Sequence, residues 1–153
     1  MPVEVVRNFA IHKYLGKWYE IARLDVSFER DLSNVTATYS LNPNGSIRVD
    51  NQGYAFKKNK WKGSIGKAKF VSSTDEGRLK VSFFGPFYAA YNIARLDKEY
   101  RYALVVGSSS KYMWILAREK TIPDNIKTDY LNTARQLGYD TAALIWTIHD
   151  QHS

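Results

Sequence analysis

Very few residues in this chain of 153 are equipped for bond-making chemistry. Cys is absent, which excludes thiol nucleophiles, zinc-thiolate sites and disulfides. The three histidines, His12, His149 and His152, lie near the two ends and share no metal-ligand spacing. Neither a G-x-S-x-G nor an H-E-x-x-H pattern occurs. Gly63-Ser64-Ile65-Gly66-Lys67-Ala68 lacks the spacing and the final hydroxyl of a phosphate-binding loop. What remains suits binding rather than catalysis. The chain holds 11 Tyr, 7 Phe and 4 Trp, and 44% of it is hydrophobic. Flat rings at this density favour strands and can line a wide apolar cavity. The net charge of +7 fits an acidic ligand, an anionic membrane surface or nucleic acid, and it also fits solubility alone. No cofactor or metal is expected.

The elements that must position these residues are short and regularly spaced. The length fits one domain, 1–153, with no linker, repeat or low-complexity tract. Val35, Ala37, Tyr39 and Leu41 alternate with Thr36, Thr38, Ser40 and Asn42, which is the period of a half-buried strand. Asn42-Pro43-Asn44-Gly45 follows as a hairpin turn, because Asn and Gly tolerate positive φ. Similar runs over 18–24, 46–56, 61–71, 78–84, 88–96, 100–107 and 111–118 complete eight sequential strands. Short turns between them predict an all-β fold, an eight-stranded antiparallel up-and-down β-barrel, whose closure leaves no sheet edge. The period then changes: Ile126, Tyr130, Ala134 and Leu137 fall at helical spacing between Pro123 and Gly138. This predicts one C-terminal α-helix packed outside the barrel, followed by a strand over 143–148. The first residues, Met1-Pro2-Val3-Glu4-Val5-Val6-Arg7, do not read as a signal peptide, and no stretch is long and apolar enough for a membrane-spanning helix.

Three blocks in register resemble the lipocalin family: Gly16-Lys17-Trp18-Tyr19 before the first strand, Asp97-Lys98-Glu99-Tyr100 between strands six and seven, and Arg118 closing strand eight. Leu15-Gly16-Lys17-Trp18-Tyr19-Glu20-Ile21-Ala22-Arg23, Val35–Leu41 and Lys80-Val81-Ser82-Phe83-Phe84-Gly85-Pro86-Phe87 make the likeness closer. They resemble the bacterial outer-membrane type, which is itself similar to apolipoprotein D and the plant temperature-induced lipocalins. The resemblance implies that Gly16, Trp18, Asp97, Tyr100 and Arg118 are structural, with Arg118 stacked on Trp18 at the closed end. Such a cation–π contact is worth roughly 0.5–2 kcal/mol. Bacterial members are typically acylated on an N-terminal Cys, which this sequence lacks. The expectation is therefore a chain soluble as given, of the outer membrane or periplasm if a preceding segment has been removed; the cytoplasm stays open.

Alternation and resemblance together predict the cavity. If Trp18 points inward, so do Glu20 and Ala22, and Arg118 shares its face with Leu116, Trp114 and Tyr112. Register with lipocalins adds Ala37, Tyr39, Val49, Asn51, Val81, Phe83, Tyr91 and Ile93. Burial of Glu20 would raise its pKa and let it bond a ligand headgroup; a structural bond to nearby backbone is the alternative. The mouth is expected at Phe28, Lys57, Lys58, Lys60, Phe87 and Lys111, a basic and aromatic rim suited to an anionic headgroup or bilayer, or a solvated lysine loop. The resulting expectation is a carrier or store for a fatty acid or lysophospholipid, as monomer or homodimer, without a nucleic-acid partner. A tetrapyrrole or retinoid carrier is the rival, and a lipid isomerase the remote one, since no Cys or cavity His is present to serve it.

Overall fold

The computed structural model describes residues 3–151, apart from the side chains of Ser27 and Phe84; His152 lies outside it. A four-residue helix, α1 (Ile11–Tyr14), leads into β1 (Gly16–Arg23). There follow β2 (Leu32–Leu41), β3 (Ile47–Ala55), β4 (Lys60–Phe70), β5 (Arg78–Phe84), β6 (Phe87–Leu96), β7 (Tyr102–Val106) and β8 (Met113–Ala117). Every neighbour pair is antiparallel and sequential, and β1 pairs with both β8 and β2, so the eight strands close on themselves. Helix α2 (Asp124–Gln136) and a two-residue strand β9 (Ile145–Trp146) complete the chain, with β9 lying beside β1.

Two apolar clusters result from the alternation of each strand. The outer one joins Leu104, Val106, Met113 and Ile115 of the sheet to Tyr130 and Ala134 of α2. The helix thus buries its apolar stripe against the barrel exterior, and the Tyr130 hydroxyl donates to the Tyr102 carbonyl at 3.1 Å. The inner cluster runs through the barrel from Phe9, Tyr14 and Trp18 to Val105 and Leu116. Residues before β1 cross one end as a floor: Gly77 donates to the Val6 carbonyl, Val6 to Ile93, and Phe9 to Asp75.

Two local expectations are corrected. Ala22 does not face the lumen. The β1–β8 register slips between Glu20 and Ala22, placing Ala22 opposite Ile115 on the outside and Arg23 opposite Trp114 on the inside. Tyr112 lies just before β8 begins at Met113, opposite Gly107, whose amide donates to its carbonyl. Its ring there stacks on Trp114 at 6.2 Å between centroids. The last strand spans only Ile145–Trp146, since the Asp140 carboxylate caps a 3-10 turn over Thr141–Ala143 by accepting from the Ala142 amide.

Candidate functional site

At the floor the signature residues meet. The Arg118 guanidinium lies 3.9 Å from the Trp18 ring centroid. Its three nitrogens donate to the carbonyls of Tyr100, Lys17 and Lys13 at 3.0, 3.0 and 2.9 Å. One planar fork thus ties the β6–β7 turn and the N-terminal crossing to β1 and β8. Gly16 has φ +101°, a conformation L side chains avoid. Asp97 holds its turn by accepting from the Glu99 and Arg101 amides.

Above the floor lies an aromatic layer with a hydroxyl chain inside it. Tyr14 and Tyr39 each meet the Tyr91 hydroxyl, at 2.6 and 2.8 Å. Burial pushes all three phenols up, Tyr39 to about 12, so they act as neutral hydrogen-bonding groups. Between them and Phe9, Ile47, Val49, Leu79 and Val81 the remaining void admits the centre of about one water molecule, about 10 Å³. The floor half of the barrel is solid.

The mouth half is not. Ala37, Asn51, Phe83 and Trp114 face inward by register, as does Val81 at the boundary with the floor void, yet all are only half-buried. An inward residue of a closed barrel can meet solvent only through the mouth, so their exposure traces an open lumen. The Phe83 ring packs close against Gly66: a Cβ added there would stand 2.6 Å from it. Ile93 is fully buried, and Val49 and Tyr39 nearly so, at the boundary with the solid half.

One side of this lumen is polar, and its composition was only partly anticipated. Glu20 and Arg23 are 2% and 3% exposed and form an ion pair at 2.9 Å. Glu20 also accepts from Thr147 at 2.6 Å, and its backbone carbonyl oxygen meets a His149 ring nitrogen at 2.7 Å. Both partners belong to the C-terminal tail, which fills the gap where β1 and β2 diverge; Asn34 of β2 and Asp150 of the tail close the other side at 3.1 Å. Arg23 donates further to the carbonyls of Glu29 and Leu32, at 3.0 and 3.2 Å, and so clamps the β1–β2 loop from beneath. Glu29, on that loop, is itself buried and accepts from Trp114 Nε1 at 2.8 Å. Burial, then the nearby Glu20 charge, pushes the Glu29 carboxyl up to about 9.

The rim gathers the exposed residues predicted for it. Phe28 and Phe87 are 63% and 77% exposed. Lys57, Lys58, Lys60 and Lys111 are exposed on loops that antiparallel connectivity places at the same end. One neighbour was missed, Phe56, which adds a further exposed ring. Lys62, expected beside the other rim lysines and opposite Gly53 in β4, falls on the lumen face with Ser64 and Gly66. The opposite end carries Asp75, Glu76, Asp97 and Glu99 in its turns. Three of those carboxylates are paired there, Glu76 with Arg7 and Asp97 and Glu99 with Arg101, so the unpaired basic and aromatic surface is a feature of the mouth. Neither Glu29 nor Arg23 was among the residues expected at the site; for Arg23, a charged side chain set among Ile21, Ala22 and Leu24 was the available signal.

A family model described as a lipocalin-like domain matches residues 9–149. The outer membrane lipoprotein Blc of Escherichia coli (strain K12) is 51% identical over 144 residues, covering 94% of this chain and 81% of that protein. Its counterpart from Vibrio cholerae serotype O1 is 48% identical over 145 residues, covering 94% and 85%. Insecticyanin from the tobacco hornworm Manduca sexta superposes with a TM-score of 0.80 at 19% identity, covering 99% of this chain and 86% of that one. This last likeness shows the fold.

Proposed function

The chain belongs to the lipocalin-like family, and on that premise we propose that it carries one small hydrophobic ligand in the mouth half of the barrel. The ligand class is a fatty acid or lysophospholipid. The observation that carries this reading is the open, half-buried lumen of Ala37, Asn51, Val81, Phe83 and Trp114 above a filled floor. A single acyl tail fits such a wall, and a tail burying ten methylenes gains about 8 kcal/mol before ordering costs, at about 0.8 kcal/mol each. The headgroup then lies at the rim, where Lys57, Lys58, Lys60, Lys62 and Lys111 favour a negative charge.

The site is one for binding rather than turnover. The inward carboxylate Glu20 and the inward guanidinium Arg23 are engaged with each other and with structural partners. The exposed Phe28, Phe56 and Phe87 among lysines suit loading from an anionic lipid surface with the mouth facing it. The Blc relatives are outer membrane lipoproteins by name, and a cell-envelope setting would supply that surface to this chain.

Displacement of a fluorescent fatty acid by oleic acid and by oleoyl-lysophosphatidylcholine tests the reading. Phe83→Asp is expected to abolish uptake of both while the barrel keeps its cooperative melt. Wild-type affinity in that variant places the ligand outside the lumen and refutes the reading.

A further inference from the structure

The β1–β2 loop, residues 24–31, bends over one side of the mouth and carries Glu29 at the end of a short 3-10 turn. Carboxylates on loops ordinarily point to water, because burying an unpaired charge is costly. Here the residue is 8% exposed. One oxygen accepts from Trp114 Nε1, and the charge of nearby Glu20 opposes ionisation of Glu29. Two buried carboxyls share one guanidinium, and Arg23 is already paired with Glu20 at 2.9 Å, which leaves Glu29 without a cation of its own. The proton is therefore assigned to Glu29.

We propose that the β1–β2 loop is a proton-operated latch on the barrel mouth: the protonated carboxyl of Glu29, wedged between Trp114 and the Glu20–Arg23 pair, holds the loop down, and loss of that proton releases it. Arg23 is the hinge-side anchor, since its bonds to the Glu29 and Leu32 carbonyls hold the loop backbone. Leu24 N, bonded to the Met113 carbonyl at 3.2 Å, fixes the near end. Release bares the inner face of Trp114 and widens access to the lumen. Its consequence for cargo rests on the carrier reading; the latch itself does not.

The direction with pH follows from linkage. In the open loop Glu29 faces water and has an ordinary carboxylate affinity for protons, near 4.5; in the closed loop it holds its proton up to about 9. Closing is thus fully favoured below the lower value. Between the two values closing takes up one proton, so its equilibrium constant falls about tenfold per pH unit as pH rises. The other charged groups around the carboxyl are known. Glu20 and Arg23 face it from β1, and β8 presents uncharged Trp114. The tail contributes His149, at the Glu20 carbonyl, and Asp150, at Asn34. Asp25 pairs with Arg30 on the loop, and Asp31 with Lys57 across it.

Amide hydrogen exchange of residues 24–31 in the ligand-free protein, from pH 6 to 8, reads the latch directly. Base-catalysed exchange alone steepens about tenfold per pH unit, and a proton-linked opening adds another factor of ten, giving ~100-fold per unit. Wild-type protein is expected to show the steeper slope. Glu29→Gln keeps the acceptor for Trp114 without a titrating proton, so it is expected to show the tenfold slope and stronger protection at pH 8. His149 and Asp150 are present in both proteins, so their contributions cancel. A tenfold slope in the wild type overturns the latch, as do parallel slopes in the two proteins. The Trp114 indole N–H gives a second readout by nitrogen-15 NMR: its hydrogen-bonded shift is expected to disappear between pH 6 and 9 in the wild type, and a constant shift overturns the proposal. Because no lipid is present, these outcomes leave the carrier reading to its own test.

Discussion

Replacing Arg23 with Met removes a guanidinium that holds four oxygen contacts within one buried corner. Lost are the 2.9 Å pair with Glu20, the bonds to the Glu29 and Leu32 carbonyls, and a long contact to Thr147 at 3.5 Å. Glu20 is left buried with Thr147 as its remaining side-chain donor. Breaking a buried pair on one side costs about 3–5 kcal/mol, mostly the stranded charge. In a chain of this length that lowers Tm by roughly 6–20 °C. The double change Glu20→Gln with Arg23→Met strands no charge. It also removes Arg23 Nε, a buried donor without a partner, whose burial costs about 1–3 kcal/mol. The double variant is therefore expected to recover most of the loss. Urea unfolding of the three proteins decides the matter. A single variant within about 1 kcal/mol of wild type, or a double variant as unstable as the single, refutes the account of this corner.

Two further perturbations probe the floor and the rim. Tyr91→Phe removes the hydroxyl shared by Tyr14 and Tyr39 and is expected to cost about 1–3 kcal/mol in urea unfolding. In the wild type the raised phenols must stay protonated in the fold, so stability is full below pH ~10 and falls above it; a tyrosinate absorbance titration is expected to leave these three unionised at pH 11 until the barrel unfolds. At the rim, changing Lys57, Lys58 and Lys60 to Gln is expected to weaken binding to phosphatidylglycerol vesicles by about 3 kcal/mol, at about 1 kcal/mol per lysine, read by co-sedimentation; unchanged binding removes the rim from membrane contact.

Much of the barrel was legible because its alternation is local. The period-two pattern of Ala37 and Tyr39, or of Val81 and Phe83, depends on the strand itself and on having one wet and one dry face. The three signature blocks located the floor because Trp18 and Arg118 must meet when the barrel closes. The failures share a different cause. The bulge between Glu20 and Ala22 is set by how β1 fits β8, and nothing in Tyr19–Arg23 alone declares it. It moves Arg23 inside, and Arg23 in turn makes a buried Glu29 affordable. Neither residue declares itself in the sequence, because their partners come from β1, β8, the loop and the C-terminal tail. The polar wall is thus a tertiary property, whereas the apolar wall is a secondary-structure one.

The central claim is that one lipid occupies the lumen. Native mass spectrometry of the protein purified without added lipid, then exposed to oleic acid and oleoyl-lysophosphatidylcholine, tests it most directly. The account predicts a single adduct per chain that saturates at one and is absent from Phe83→Asp. A protein that stays empty with both lipids, or that takes up several without saturation in wild type and variant alike, contradicts it.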